Sequence, residues 1–382
     1  MKKCTWCGKE YPDQVEVCLI DQHPLASSEP GTKPATAHPA STSLSAGWLP
    51  RPRGIRCTDL PAPALIHLDE LENAFAFEEG FSRPDWRRIR AAIDLAVTSD
   101  QVSEAWTEAA SQWCQRLVAD LGGQYSARRS DEFLLVSALE LAGVDGFLRF
   151  AEESLAGISA ALGEAAWKPK YGKHVVLLFA ELDDYYQYVS LYYREGAHPA
   201  SGGCLIHKDY VHIAMPYGDG RSIRRTLIHE LVHNCVVHLR LPLWLNEGLA
   251  TTFERAAVQH PEPLLDEDLR DKHLAFWNPD TIQKFWAGAS FGEPGEPNRL
   301  SYSLAEILVG LLRSDYSGFA GFVCQADPRD AGQSAAVDML NADLGQVAGT
   351  FLGPGVWRPN RKAILELWKR RRESQQDPPK NA

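Results

Sequence analysis

The sequence predicts an α+β protein in which a small mixed sheet precedes a largely helical C-terminal part. Apolar runs of strand length cluster before the middle of the chain, and stretches with helical periodicity predominate after it. No repeat at a fixed period is visible. In chain order, the expected elements are helices at 64–79, 83–97 and 102–121, a strand at 131–137, a helix at 144–162, a strand at 174–179, a Tyr-rich helix at 183–194, two short strands at 203–207 and 210–215 that could form a hairpin, helices at 222–239 and 243–258, and further helices beyond 297 that end with one at 358–372.

Composition changes along the chain predict its organisation. The first 25 residues form a Cys-bearing head, and the stretch that follows is rich in Pro, Ser, Thr and Ala, so it cannot bury enough apolar surface to offset its ordering entropy. We therefore expect a flexible linker there. The predicted divisions are a head at 1–25, a linker at 26–63, a helical region at 64–121, a main domain at 122–325 and a C-terminal helical extension at 326–382.

The overall composition is that of a globular protein. The chain has 382 residues, of which 45% are hydrophobic and 23% charged, so wholesale disorder is excluded. The 39 Lys and Arg against 50 Asp and Glu give a formal net charge of −11. An acidic balance opposes a phosphate-binding surface, and we expect no nucleic-acid partner.

Hydropathy and cysteine distribution predict a cytoplasmic protein. No apolar run approaches the roughly 18–20 residues of a membrane span. The N-terminus has no apolar segment of the kind found in secretory signals, so we expect neither secretion nor membrane contact. Three of the eight cysteines fall within the first 18 residues and five are scattered. In a reducing compartment this distribution predicts one metal site and isolated thiols.

The most informative stretch, 226–237, reads Thr-Leu-Ile-His-Glu-Leu-Val-His-Asn-Cys-Val-Val. Its apolar periodicity predicts a buried helix on which His229 and His233 lie on one face, about one turn apart, so that both imidazoles can bind one zinc ion. Glu230 projects about 100° away, close enough to touch a metal-bound water without binding the metal. An ordinary helix face is the alternative, but burying three ionisable groups among apolar side chains without purpose is costly.

A second helix supplies a third candidate ligand. After a turn that contains Pro242, residues 243–250 read Leu-Trp-Leu-Asn-Glu-Gly-Leu-Ala, which places Glu247 fourteen positions after His233. A catalytic zinc site with two histidines requires a third protein ligand and leaves its fourth position to water. A carboxylate from an adjacent antiparallel helix fits this requirement.

The two motifs together resemble those of the gluzincin metallopeptidases, and are most similar to the bacterial peptidase MA-like group with its Pro-x-Trp-Leu-Asn-Glu-Gly signature. The resemblance covers about residues 125–312, including the Ser-Gly-Gly-Cys stretch at 201–204 and the helix around 300–309. It implies a zincin-like fold and zinc-dependent hydrolysis of peptide bonds by a zinc-activated water.

The resemblance also implies individual roles. His229, His233 and Glu247 would be the zinc ligands and Glu230 the general base that serves the water. Glu254 matches the position from which such enzymes orient a ligating histidine through its free N–H. Tyr302 falls where the family has a tyrosine able to donate to the oxyanion, and a buried core tyrosine is the alternative.

The expected substrate is a peptide or protein that lies extended along the strand at Gly202, Gly203 and Cys204, where a free strand edge offers main-chain donors and acceptors. Other residues near these motifs receive ordinary structural interpretations. We expect His207 and His212 to be solvated or hydrogen-bonded rather than ligating. Cys204 and Cys235 are most simply small buried hydrophobes.

The head resembles one half of a zinc ribbon. Cys4 and Cys7 form a Cys-x-x-Cys knuckle followed by Gly, and Cys18 supplies a third thiolate. Two residues compete for the fourth position: Asp21 stands where related heads carry a cysteine, and His23 offers the softer ligand. Because about 25 residues have too little core to fold without metal, we expect a second, structural zinc ion and a protein partner for the head.

Two functions remain open from the sequence. The first is a zinc metallopeptidase, which the presence of all the ligands and of the base favours. The second is a latent or non-catalytic adaptor, in which the peptidase-like domain holds peptides and the zinc-ribbon-like head recruits a partner.

Overall fold

The computed structural model describes residues 57–167, 171–193, 202–257, 266–315 and 318–376, together with two short strands near the N-terminus. The chain divides into two compact units. The first comprises Met1–Gly157 and Lys168–Asn234, and the second comprises Ile158–Trp167 and Cys235–Ala382.

The first unit contains all the described strands and most of the first five helices. The strands are β1 (Lys2–Lys3), β2 (Glu10–Tyr11), β3 (Thr58–Asp59), β4 (Phe75–Glu78), β5 (Phe81–Pro84), β6 (Ser126–Arg129), β7 (Phe133–Ser137), β8 (His174–Phe179), β9 (Cys204–Ile206) and β10 (His212–Pro216). The helices are α1 (Trp86–Ala96), α2 (Val102–Leu121), α3 (Leu141–Leu162), α4 (Leu182–Ser190) and α5 (Gly220–Val236).

A six-stranded mixed sheet organises this unit, with the strand order β3-β6-β7-β8-β10-β9. The central strands β7, β8 and β10 run parallel, whereas β6 and β9 pair antiparallel with their neighbours. In β10, His212 pairs with Val175 of β8 on one side and with Ile206 of β9 on the other. Among the described strands β9 therefore ends the sheet. The predicted hairpin of two short strands is confirmed.

The core of the first unit joins the N-terminal helices to the sheet. All six residues of β8 are buried, as the apolar run predicts for a central parallel strand. Trp86 of α1 stacks on Trp106 of α2 with ring centroids 5.8 Å apart. One hydrophobic cluster extends from Ile66 through both helices to Ala214 of β10. The segment at 57–121 thus shares its core with the sheet.

The helix predicted over 64–79 is wrong. The structure shows instead a β-hairpin, in which β4 and β5 pair antiparallel across Glu79 and Gly80, both with positive φ. Two consecutive residues of this conformation form the tight turn that suits the twist of a hairpin. The preceding segment is held by side chains of α2: Glu108 accepts hydrogen bonds from the N–H groups of Leu65 and Ile66. The apolar residues have helical spacing, but these long-range contacts stabilise a different structure.

Strand β6 was not predicted either. Its sequence, Ser-Ala-Arg-Arg, does not alternate apolar and polar residues, and in the structure every position is half-buried. It forms because it pairs along β7, whose five residues are all buried. Strand pairing rather than local pattern decides this element.

The second unit is helical throughout its described part. Its helices are α6 (Leu243–Ala256), α7 (Glu267–Phe276), α8 (Thr281–Trp286), α9 (Glu296–Asp315), α10 (Phe319–Gln325), α11 (Gln333–Leu340), α12 (Leu344–Leu352) and α13 (Arg361–Gln376). The most extensive packing is between α6 and α9. Two buried tryptophans tie helices to loops, since the indole N–H of Trp244 donates to Ala331 O and that of Trp286 to Trp357 O.

The expected α+β class, with a small sheet ahead of a helical C-terminal part, is confirmed at this level. The predicted domain limits at 122 and 325 stay predictions. Of the predicted linker at 26–63, residues 26–56 lie outside the described residues. None of the described helices combines the length and the apolar character that crossing a membrane requires.

Candidate metal centre

Helix α5 presents the first two candidate ligands. Asp219 caps the N-terminus of the helix, because its Oδ1 accepts hydrogen bonds from the N–H groups of Arg221 and Ser222 at 2.9 and 2.8 Å. One face of the helix is anchored in the core by fully buried leucines at 227 and 231. Anchoring at both of these places fixes the rotation of the helix about its axis, and hence the direction of its polar residues.

The two histidines of α5 lie side by side. The imidazole rings of His229 and His233 have centroids 4.7 Å apart and meet edge to face at 83°. Both side chains are half-buried, whereas Glu230 is buried with 7% of its surface exposed. The predicted placement of both imidazoles on one face of one helix is confirmed.

Among the described residues, one group of three side chains could hold a metal ion. One ligand atom each from His229, His233 and Glu247 lies within 4.8 Å of the other two. Ligands bound to one tetrahedral zinc at about 2.0–2.2 Å stand roughly 3.3 Å apart, so modest rotations of the side chains would complete the set. Two imidazoles and one carboxylate, with a position left for water, are the donors of a catalytic zinc site. The residues present therefore fit the metal.

Glu247 is presented by the first turns of α6. The helix starts directly after Pro242, and Trp244 and Leu245 are fully buried. Glu247 itself is half-buried, and its carbonyl accepts the hydroxyl of Thr251 at 2.9 Å. The burial of Trp244 and Leu245 fixes the rotation of α6 and thus the direction of the Glu247 side chain.

The edge strand begins against the helix that carries Glu230. A Cβ placed on Gly203 would lie 3.4 Å from Cγ of Glu230 and 2.5 Å from Cγ2 of Thr226. A Cβ on Gly202 would lie 2.8 Å from Oγ1 of Thr226. The backbone entering β9 therefore runs close beside the candidate base. Cys204, the last of the predicted substrate-strand residues, is the first residue of β9 and is half-buried.

Sequence reasoning missed two residues beside this strand. Thr226 lies four positions before Glu230, so helical spacing alone could have placed it on the same face. Tyr193 follows α4 and had no such signal. Burial, followed by the nearby Cys204 and Glu230, raises the pKa of the Tyr193 phenol. Burial and then the charge of Glu230 raise the pKa of the Cys204 thiol to about 11, so this thiol stays protonated.

Glu254 and Tyr302 lie on two helices that pack together. Glu254 is on α6, seven residues after Glu247, and is half-buried. Tyr302 is on α9, half-buried, with its ring 5.1 Å from that of Phe291 in an edge-to-face contact. Tyr302 is therefore not a fully buried core residue. The orienting role of Glu254 and the oxyanion role of Tyr302 stay predictions.

The remaining histidines and cysteines of this region have structural roles. His212 is buried, its Nδ1–H donates to Tyr210 O at 2.6 Å, and its Nε2 accepts the Tyr188 hydroxyl at 2.8 Å. Burial lowers the pKa of His212 to about 4. His207 is exposed, and Cys235 is fully buried as expected.

The predicted ligands of the head, namely Cys4, Cys7, Cys18, Asp21 and His23, lie outside the described residues. The described strands β1 and β2 pair antiparallel, with Lys2 opposite Tyr11 and Lys3 opposite Glu10. The second zinc site stays a prediction.

Comparison of the chain with protein-family profiles, with curated proteins and with solved structures found no significant match. The function of the site is therefore argued from its residues.

Proposed function

We propose that this protein is a zinc-dependent metallopeptidase with a zincin-like catalytic domain. One observation carries the proposal: ligand atoms of His229, His233 and Glu247 lie within 4.8 Å of one another, and Glu230 lies next to the first of them in the chain. The resemblance of the two sequence motifs to gluzincin peptidases supports the same conclusion. Neither motif contains a cysteine ligand, so the donor set is that of a hydrolytic rather than a structural zinc site.

Each residue of the site has a defined task. His229, His233 and Glu247 would hold the ion, which when bound supplies an acidified water and polarises the carbonyl of the scissile bond. Glu230 accepts the proton of the attacking water and returns it to the leaving amine nitrogen. Its burial keeps bulk water away from the carboxylate, which strengthens the interaction with the proton that it accepts. Glu254 would orient a ligating histidine, and Tyr302 would donate to the oxyanion.

The proposed substrate is an extended peptide segment that pairs with β9. This strand ends the sheet among the described strands, so its outer main-chain groups can pair with a peptide whatever the side chains of that peptide are. The approach of Gly203 to Glu230 brings the scissile bond of such a peptide near the base. Recognition by main-chain groups predicts a tolerance of many sequences.

The N-terminal head is proposed to hold a second, structural zinc ion and to recruit a protein partner. In the alternative function, the adaptor, both zinc ions would be present and the catalytic domain would only hold peptides. The two functions differ in one measurable property, which is cleavage that depends on Glu230.

The decisive experiment measures the zinc content of the full chain and its cleavage of a peptide library. The wild-type protein is compared with Glu230→Gln, which has nearly the same shape but cannot accept the proton. We expect the variant to keep two zinc ions per chain and to lose turnover by about 10²–10⁴-fold. His238→Ala is the matched control, since His238 is exposed and lies five residues after His233. It should change neither zinc content nor cleavage.

Cleavage by Glu230→Gln at the wild-type rate would overturn the mechanism. Two zinc ions with no cleavage by the wild-type protein would favour the adaptor. Retention of the wild-type zinc content after His233→Ala would show that the ion is held elsewhere.

A further inference from the structure

Helices α6 and α9 of the second unit approach each other closely beside Glu247. A Cβ placed on Gly248 would lie 2.6 Å from the carbonyl oxygen of Ala305, 2.9 Å from its carbonyl carbon and 2.8 Å from Cγ2 of Val309. Cβ atoms in proteins essentially never approach other heavy atoms this closely. Helix α6 therefore rests on the backbone of α9 at a place where only glycine fits.

The contact is a specific property of this glycine. Gly310, on α9 itself, has no heavy atom within 4 Å of an added Cβ. A helix-interior glycine costs about 0.5–1 kcal/mol relative to alanine, so Gly248 must be compensated by the packing that it allows.

A second contact fixes α6 along α9. Arg255 lies seven residues, or about two turns, after Gly248. Its Nε donates to Oε1 of Glu306, and its Nη2 donates to Oε2 of the same carboxylate at 3.3 Å. Glu306 follows Ala305 and is buried, with 8% of its surface exposed. A two-point ion pair between half-buried Arg255 and buried Glu306 holds the helices against sliding, which packing at a glycine alone does not do.

We propose that α9 positions the third metal ligand, with Gly248 and the Arg255–Glu306 pair as positioning residues for the carboxylate of Glu247. The inference rests on the proposed function, because it takes Glu247 to be a ligand. Relief of the contact at Ala305 to an ordinary 3.4 Å would move α6 by about 0.8 Å at Gly248, the residue next to Glu247. Metal–ligand distances tolerate only about ±0.2 Å, so a shift of this size would weaken the third bond.

The first test measures zinc affinity by competition with a chelator, for the full-length wild-type protein, Gly248→Ala and Gly310→Ala. We expect Gly248→Ala to bind the catalytic zinc about 10–100-fold more weakly, which is the usual effect of losing a residue that orients a ligand. Gly310→Ala, the matched control on α9, should keep the wild-type affinity within about twofold. Circular dichroism and thermal unfolding of the metal-free proteins report whether each variant is folded.

A double-mutant cycle separates positioning from a general loss of structure. If Gly248 acts through Glu247, then Gly248→Ala should change zinc affinity by less than about twofold in a Glu247→Gln background, where the ligand is already lost. The absorption spectrum of the Co²⁺-substituted Gly248→Ala protein should likewise move towards that of Glu247→Gln. A purely structural defect would add to the effect of Glu247→Gln instead.

Two further variants sharpen the test. Val309→Ala removes the side chain near Gly248 but leaves the carbonyl of Ala305, so it should not restore affinity to Gly248→Ala. Glu306→Gln keeps the size of the side chain and removes the ion pair, and we expect it to weaken zinc binding at least threefold even if Gly248→Ala does not fold. Asp268→Asn, which breaks an exposed pair with Lys272 on α7, is its control and should have no effect.

The outcomes distinguish the two proposals. A wild-type protein that binds no zinc at this site would overturn the proposed function. Zinc binding by the wild-type protein with unchanged affinity in a folded Gly248→Ala variant, or in Glu306→Gln when Gly248→Ala does not fold, would overturn the positioning role and leave the peptidase proposal intact. Effects that add fully in the Glu247→Gln background would also overturn the positioning role.

Discussion

Gly203 lies directly against Glu230, because a Cβ on this glycine would stand 3.4 Å from Cγ of the glutamate. The relationship joins the start of the edge strand to the helix that carries the candidate base. It also leaves little room for change, since the same Cβ would stand 2.5 Å from Cγ2 of Thr226. The close contact between the strand edge and Glu230 thus depends on the absence of a side chain at Gly203.

Substitution of Gly203 should therefore affect catalysis more than metal binding. We expect Gly203→Ala to lower kcat/KM for peptide cleavage by about tenfold or more, because it separates the edge strand from Glu230, and to leave zinc content unchanged. Combining it with Thr226→Ser, which removes the clashing methyl group, should restore much of the activity. Gly123→Ala is a control, since an added Cβ there meets nothing within 4 Å. Loss of zinc in Gly203→Ala would contradict this prediction.

The buried imidazole of His212 predicts that stability falls with acidification. Its pKa is lowered to about 4 by burial, whereas an unfolded histidine titrates near 6.5, so the folded state resists a proton that the unfolded state accepts. The stability is complete above about pH 6.5 and is lost as the pH falls towards 4. Between pH 7 and pH 5 this one group should lower the free energy of unfolding by about 2 kcal/mol. His273, whose pKa burial also lowers to about 4, adds to the loss in the same window.

Urea unfolding at several pH values, in excess chelator to remove the pH dependence of metal binding, measures this effect. His212→Gln cannot take up a proton, so its stability should depend less steeply on pH below 6.5 than that of the wild-type protein. The two slopes should coincide above pH 7. Equal slopes between pH 6 and pH 5 would contradict the assignment.

Glu108 of α2 should be a strong attachment of the segment before the hairpin, beside Gln112, which hydrogen-bonds to Leu68 N and Ile66 O of the same segment. The Oε2 atom of Glu108 accepts the N–H groups of Leu65 at 2.7 Å and Ile66 at 3.2 Å, and Glu108 is buried. Glu108→Ala leaves both donors without this acceptor, and we expect a loss of about 2–4 kcal/mol in the free energy of unfolding together with faster proteolysis near residue 65. Glu104→Ala, one turn earlier on α2, removes a long 3.9 Å pair between exposed Glu104 and half-buried Arg129 and should change stability by less than about 0.5 kcal/mol. Similar stability of the two variants would contradict the role of Glu108.

The local sequence pattern predicted those elements whose apolar residues pack against the core with ordinary strand or helix spacing. The strand at 174–179 and the helix at 102–121 have the predicted bounds, because each places a continuous or periodic apolar surface against one core. The hairpin at 75–84 was mistaken for helix because its apolar residues also fit helical spacing. The strand at 126–129 could not be predicted from the sequence pattern, because pairing with β7, and not its own composition, stabilises it.

The sequence by itself determined the chemistry of the candidate site. His229 and His233 are four positions apart, so helix geometry, which is local, places them on one face, and Glu230 lies between them in the chain. The sequence also named Glu247 as the third candidate ligand, whereas the tertiary structure alone decided how near its carboxylate lies to the two imidazoles and how closely the strand edge approaches Glu230. Those distances depend on the contacts of Gly248 with Ala305 and of Gly203 with Thr226, which join residues far apart in the chain. No local preference encodes such contacts, because their energy exists only when the two elements are packed together.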